Sequence, residues 1–202
     1  MNGETLTTAI SGVISRRFSL RANGKAIAGN SDEEIADLVR DGDTEAFGVL
    51  VRRYEDFVFT LARGIVLSDD QAKDVAQETF LRAYRAIRRF ERRSSFKTWL
   101  YRIACNTAMS HLKSRGSNEI SIDDIQLEQS TSSGAEYSIR KTLEKLIRLL
   151  KPELKTVVIL HYYDDLKYEE IAEILECPIG TVKIRLFRAK HDLKKLWDQY
   201  AV

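Results

Sequence analysis

The fold is decided by residues 168–190. Tyr168-Glu169-Glu170-Ile171-Ala172-Glu173-Ile174-Leu175 has one helical apolar period, Glu176-Cys177-Pro178 breaks it, and Ile179-Gly180-Thr181-Val182-Lys183-Ile184-Arg185-Leu186-Phe187-Arg188-Ala189-Lys190 opens a second. Two short helical patterns across a tight break, the second basic on one side, form a helix-turn-helix signature. In the second pattern Val182, Leu186, Ala189, Leu193 and Leu196 are spaced to share an inward stripe. Lys183, Ile184, Phe187, Arg188 and His191 then fall on another, outward side. Lys and Arg there can donate to guanine edges or phosphates, and apolar atoms can meet a thymine methyl. Amides at Gly180 and Thr181, at the helix start, can approach a phosphate, and Gly180 has no side chain to block it. DNA is the first partner these residues imply.

Upstream, Ala46, Phe47, Leu50, Val51, Tyr54, Phe57, Val58, Leu61 and Ala62 recur at three- and four-residue steps. Asp43 or Thr44 suits the N-cap of that helix, and Ser68-Asp69-Asp70 caps the next. The next helix has Val75, Ala76, Thr79, Phe80, Ala83, Tyr84 and Ile87 as its expected buried face. A third starts near Ser95 or Phe96, with Trp99, Leu100, Ile103, Ala104, Thr107, Ala108 and Leu112 on one side. Periodicity returns near Tyr137 with Ile139, Leu143, Leu146, Ile147 and Leu150, and Pro152 marks the edge of a further helix containing Val157, Val158, Leu160 and His161. No stretch alternates with period two. The expected architecture is all-α: a tail over 1–30, a helical domain over 31–113, a Ser-, Gly- and acid-rich linker over 114–136 and a helix-turn-helix domain over 137–202.

The 202-residue chain has a net charge of only +2, but its charges are segregated. Residues 31–80 hold 5 Lys/Arg against 13 Asp/Glu, whereas residues 81–116 hold 10 against 1. Such blocks let a chain touch a polyanion at one place and a basic partner at another. No apolar run approaches the ~18 residues of a membrane span, and Arg16 and Arg17 lead into no apolar signal core. Cys105 and Cys177 suggest no disulfide framework, which fits a reducing cytoplasm. His111, His161 and His191 have no ligand spacing, so no metal and no cofactor is expected.

Two further stretches carry a family resemblance. Asp69-Asp70-Gln71-Ala72-Lys73-Asp74-Val75-Ala76-Gln77-Glu78-Thr79-Phe80-Leu81-Arg82-Ala83-Tyr84 resembles the second conserved region of bacterial sigma factors, and Phe96-Lys97-Thr98-Trp99-Leu100-Tyr101-Arg102-Ile103-Ala104-Cys105-Asn106-Thr107-Ala108 continues it. The C-terminal pattern resembles region four. Both regions with a short linker look like an extracytoplasmic-function sigma factor, over residues 32–113 and 137–197. The resemblance implies a transcription initiation factor without catalytic activity. Its partners would be core RNA polymerase, promoter DNA and an anti-sigma factor.

By that resemblance, Asp74, Gln77 and Glu78 dock on the polymerase; their i, i+3, i+4 spacing puts them on one helix face. Ser94, Ser95, Phe96 and Lys97 line a pocket for an unstacked minus-ten base, with Asn106 reading a base edge. Arg88, Arg89, Arg92, Arg93 and Arg102 hold phosphates, and Trp99 either joins them or packs in the core. Gly180, Thr181, Lys183, Ile184, Phe187 and Arg188 meet the minus-thirty-five element. Three positions depart from the family pattern: Arg92 where Gly is frequent, Lys73 where an acid is frequent, and Ile184 where a small polar residue is common. From the residues alone, a plain helix-turn-helix repressor, a DNA recombinase and a helical adaptor remain rivals. The recombinase has only Ser94 and Ser95 among arginines in its favour.

Overall fold

A computed structural model describes residues 29–66, 68–114 and 135–200. The expected tail (1–30) and linker (114–136) lie almost wholly outside these residues. Among the described residues there are eight α-helices and no strand: α1 (Asp32–Arg40), α2 (Thr44–Ile65), α3 (Asp69–Ala86), α4 (Phe96–Ser114), α5 (Ala135–Leu149), α6 (Pro152–Tyr162), α7 (Tyr168–Ile174) and α8 (Ile179–Tyr200). None is long and apolar enough to cross a membrane. The chain divides into two compact units, one built on α1–α4 and the other chiefly on α5–α8.

In the N-terminal unit each helix start has its own cap. Ser31 and Glu34 form a reciprocal capping box on α1. Asp43 caps α2, its Oδ1 accepting from the amides of Glu45 (3.0 Å) and Ala46 (3.1 Å), and Ser68 Oγ accepts from Gln71 N on α3. α2 packs against α1, α3 and α4. It buries Ala46, Phe47, Leu50, Val58, Leu61, Ala62 and Ile65, while Val51, Tyr54 and Phe57 are half-buried at the margin. α3 buries Ala72, Val75, Thr79 and Ala83. Tyr84, expected inside, stays exposed, with its ring edge-on to Phe47 at 5.1 Å. The buried hydroxyls of Thr79 and Thr107 donate to the carbonyls of Val75 and Ile103, so neither polar group is left unsatisfied.

The buried face of α4 is rotated from the expected one. Leu100, Ala104, Thr107 and Ala108 are inside as anticipated, but Tyr101 and Cys105 join them, while Trp99, Ile103 and Leu112 are only half-buried. The cause is an aromatic neighbour on another helix. Phe57 of α2 stacks on Tyr101 at 3.8 Å, and Tyr54 meets it edge-on at 6.1 Å.

In the C-terminal unit Pro152 occupies the first turn of α6, where its missing N–H costs nothing. All of α6 from Leu154 to Leu160 is buried, with Leu143, Leu146 and Ile147 of α5, Leu150 just after it, and Ile171 and Ala172 of α7 also inside. α8 packs on α5 and α6, burying Val182, Leu186, Ala189 and Leu193; Leu196 is half-buried. That is the inward stripe the spacing predicted.

Candidate nucleic-acid interface

The α7–α8 turn is closed by backbone geometry. Glu176 takes a left-handed φ of 49°, and Cys177 N donates to Ala172 O at 3.0 Å. This is the pattern that ends many helices, here without the usual glycine. Pro178 O then accepts from Thr181 N at 2.8 Å. The expectation of two free amides at the start of α8 is therefore corrected: the Thr181 N–H is already used inside the turn. Above Gly180 nothing lies within 4 Å of where a Cβ would stand, so the helix start is open to an approaching phosphate.

With its stripe buried, α8 turns Lys183, Ile184, Phe187, Arg188 and His191 outward. Ile184 is 54% exposed and Phe187 73%. A large apolar ring held in water between Lys183 and Arg188 has no packing role within the unit. The face offers two cations and two apolar groups at one-turn spacing, a combination that can meet phosphates, base edges and thymine methyls together.

In the N-terminal unit the basic stretch begins with a short 3-10 turn (Ile87–Arg89), whose Arg88 and Arg89 are exposed. Phe90 is buried and anchors the chain. Arg93 is exposed and pairs with Glu91 at 2.7 Å. Arg92 behaves differently. It sits at φ 54°, a left-handed backbone conformation that favours glycine. Its side chain turns back onto α1, bonding the Asp37 carboxylate and, at 2.9 Å, the Glu33 carbonyl. The Arg92 guanidinium is thus engaged by α1 while its side chain stays partly exposed.

The pocket expected at residues 94–97 is also revised. Ser95 caps α4, its Oγ accepting from Thr98 N at 3.1 Å. Phe96 has no exposed surface at all. Its ring lies among Tyr54, Phe90 and Trp99, with centroids 5.8, 5.8 and 5.5 Å away. Phe96 is thus a core residue and offers no face to a base. Lys97 is half-buried, its ammonium 5.4 Å from the Tyr101 ring centre. Ser94 is half-buried. Trp99 packs on Phe90 and Phe96 while staying partly exposed. Trp99, Arg102 and Asn106 are spaced to share one side of α4, and Asn106 is exposed.

On α3, Asp74 and Gln77 are exposed and Glu78 is half-buried. Glu78 accepts from Arg82 Nε at 2.7 Å, and this hydrogen bond holds its carboxyl below the ordinary carboxylate range. Leu81, 42% exposed, continues the same strip. Lys73 pairs with Asp70 at 3.2 Å, an exposed contact of little energetic weight. Glu33 and Asp37 escaped the sequence reading. Glu33 looks like a helix-dipole partner in the first turn, and no local pattern signals that it or Asp37 contacts a loop more than fifty residues away.

The matches to known families follow this division. Residues 50–118 match the family model of sigma-70 region 2, and residues 140–193 match sigma-70 region 4. Pseudomonas aeruginosa RNA polymerase sigma-H factor is 35% identical over 178 residues, covering 81% of this chain and 92% of its own. The ECF RNA polymerase sigma-E factor of Salmonella typhimurium is 39% identical over 174 residues, covering 79% and 91%. A solved structure of the sigma factor RpoE from Bartonella quintana, in complex with the anti-sigma factor NepR, superposes with a TM-score of 0.60 at 26% identity, covering 77% of this chain and 98% of that one. The chain belongs to the sigma-70 family, in its extracytoplasmic-function group. Its work is promoter-specific transcription initiation with RNA polymerase, and sigma factors are not enzymes.

Proposed function

We propose that this sigma factor directs core RNA polymerase to a two-part promoter, reading the minus-thirty-five element with α8 and capturing opened minus-ten DNA with the N-terminal unit. The observation that carries this reading is the outward face of α8. Lys183, Ile184, Phe187 and Arg188 stand exposed opposite the buried Val182, Leu186, Ala189 and Leu193. Minus-ten contacts then fall to Arg88, Arg89 and Arg93 on phosphates and to Trp99, Arg102 and Asn106 along α4. Opening costs on the order of 1.4 kcal/mol per base step. One stacked base returns ~1–3 kcal/mol, so Trp99 and a few phosphate contacts suffice to hold a short bubble.

Asp74, Gln77, Glu78 and Leu81 on α3 are the proposed polymerase-docking strip, an acidic face with an apolar member. The segments 31–113 and 137–202 act as the two functional modules, joined through 114–136, and the site of action is the cytoplasm. The Bartonella complex supports an anti-sigma factor as a further partner.

The test is run-off transcription with purified core polymerase and a library of genomic fragments. Wild type is expected to initiate at a small set of start sites sharing two sequence elements. Arg188→Ala weakens promoter binding, and Asn106→Ala lowers open-complex formation at unchanged binding. Initiation by both variants at wild-type rates would refute the assignment of these roles.

A further inference from the structure

The 90–95 loop crowds Arg92 and Arg93 just beyond Arg88 and Arg89. Such a loop repels itself and, unsupported, samples many conformations. In this protein it is tied down from α1. Asp37 and the Glu33 carbonyl hold the Arg92 guanidinium in the middle of the loop. Glu33 Oε1 accepts from Phe96 N at 2.8 Å where α4 begins. α1 is itself a firm support. Its capping box is closed, Ile35, Ala36 and Val39 are buried, and Asp32 bonds both Arg53 and Tyr54 on α2. With Arg92 folded onto the surface of α1, Arg88, Arg89 and Arg93 remain exposed.

We propose that Glu33, Asp37 and Arg92 are positioning residues that set minus-ten selectivity, holding the loop in one conformation and so narrowing the promoters accepted. The inference rests on the minus-ten reading above. A flexible loop adapts to several sequences at similar cost. A braced one must pay in strain for any sequence that does not fit, and specificity is the difference between those outcomes. Arg92 adopts its left-handed backbone against the preference of L-residues. The brace compensates for that preference.

The test uses holoenzyme reconstituted from the full chain and core polymerase. Open-complex formation is measured on a promoter recovered by run-off selection and on its single-base variants at minus-ten and minus-thirty-five. Asp37→Asn and Arg92→Gly are compared with wild type, with a thermal melt of each. Glycine suits the backbone at φ 54°, so Arg92→Gly is expected to fold normally while removing the tie. Both variants should lose about tenfold in discrimination among minus-ten sequences, with discrimination at minus-thirty-five and affinity for core polymerase unchanged. Wild-type minus-ten discrimination in a folded Arg92→Gly would overturn the inference and leave the proposed function standing. If wild type itself shows no minus-ten preference, the minus-ten reading falls and takes the inference with it.

Discussion

Replacing Phe96 by alanine separates its two possible roles, base pocket and core. The ring has no exposed surface and touches three other aromatic rings within 6 Å. Phe→Ala in a closed core costs about 3–5 kcal/mol. The lost aromatic pairs, about 0.5–1.5 kcal/mol each beyond their area, push the value toward the upper end. Against a typical domain stability of about 5–15 kcal/mol, that is a third or more of the total. With a urea slope near 1.5 kcal/mol per molar, the midpoint should fall by roughly 3 M. The assay is equilibrium unfolding followed by tryptophan fluorescence. The chain has two tryptophans, Trp99 and Trp197, so a Trp197→Phe background leaves Trp99, which packs directly on Phe96, to report the N-terminal unit alone. Phe96→Leu, which keeps most of the volume, should recover most of the midpoint. An unshifted midpoint for Phe96→Ala, together with abolished promoter opening, would refute the core assignment and restore the base-pocket reading.

Arg188→Ala should weaken promoter binding and lower the slope of log affinity against log salt by about one, as loss of one phosphate contact requires, measured by fluorescence anisotropy of holoenzyme on labelled DNA. Ile184→Ser should change the preferred minus-thirty-five sequence in selection from random DNA, because a thymine methyl loses its apolar partner; identical selected sequences would remove Ile184 from readout. Burial, with the Arg148 charge nearby, pushes the Lys155 ammonium down to about 8 from its ordinary 10.5. The unfolded chain then binds more protons than the native one between those values, so stability of the C-terminal unit should rise from pH 8 to 10.5, and Lys155→Met should flatten that rise in urea titrations. Burial likewise pushes the Cys105 thiol up to about 12. Under native conditions an alkylating reagent should label half-buried Cys177 well before Cys105, and mass spectrometry of the labelled peptides reads the order.

Local regularities were legible in the sequence. Apolar spacing in 182–193 is a property of one helix, so the outward side of α8 could be read without knowing its neighbours. Caps are equally local, which is why Asp43 and Ser68 stand where their residue types suggested. The two basic and acidic blocks were visible too, but their use was not. Part of the acidic block on α1 engages the protein's own basic loop through Asp37 and Arg92, and the sequence offered only solvent or a separate partner.

What tertiary structure alone decided is which polar and aromatic groups remain available. Phe96 and Trp99 lie one turn apart in one motif, yet rings from α2 and the loop enclose the first completely and the second only in part. Arg92 and Arg93 are neighbours with the same chemistry, yet one is tied to α1 and the other pairs with Glu91 in its own loop. Helix periodicity depends on contacts a few residues away and is written in any short window. Availability depends on what the rest of the chain brings to the same place, and contacts between residues 33 and 96 or 37 and 92 exist only once the helices between them have packed.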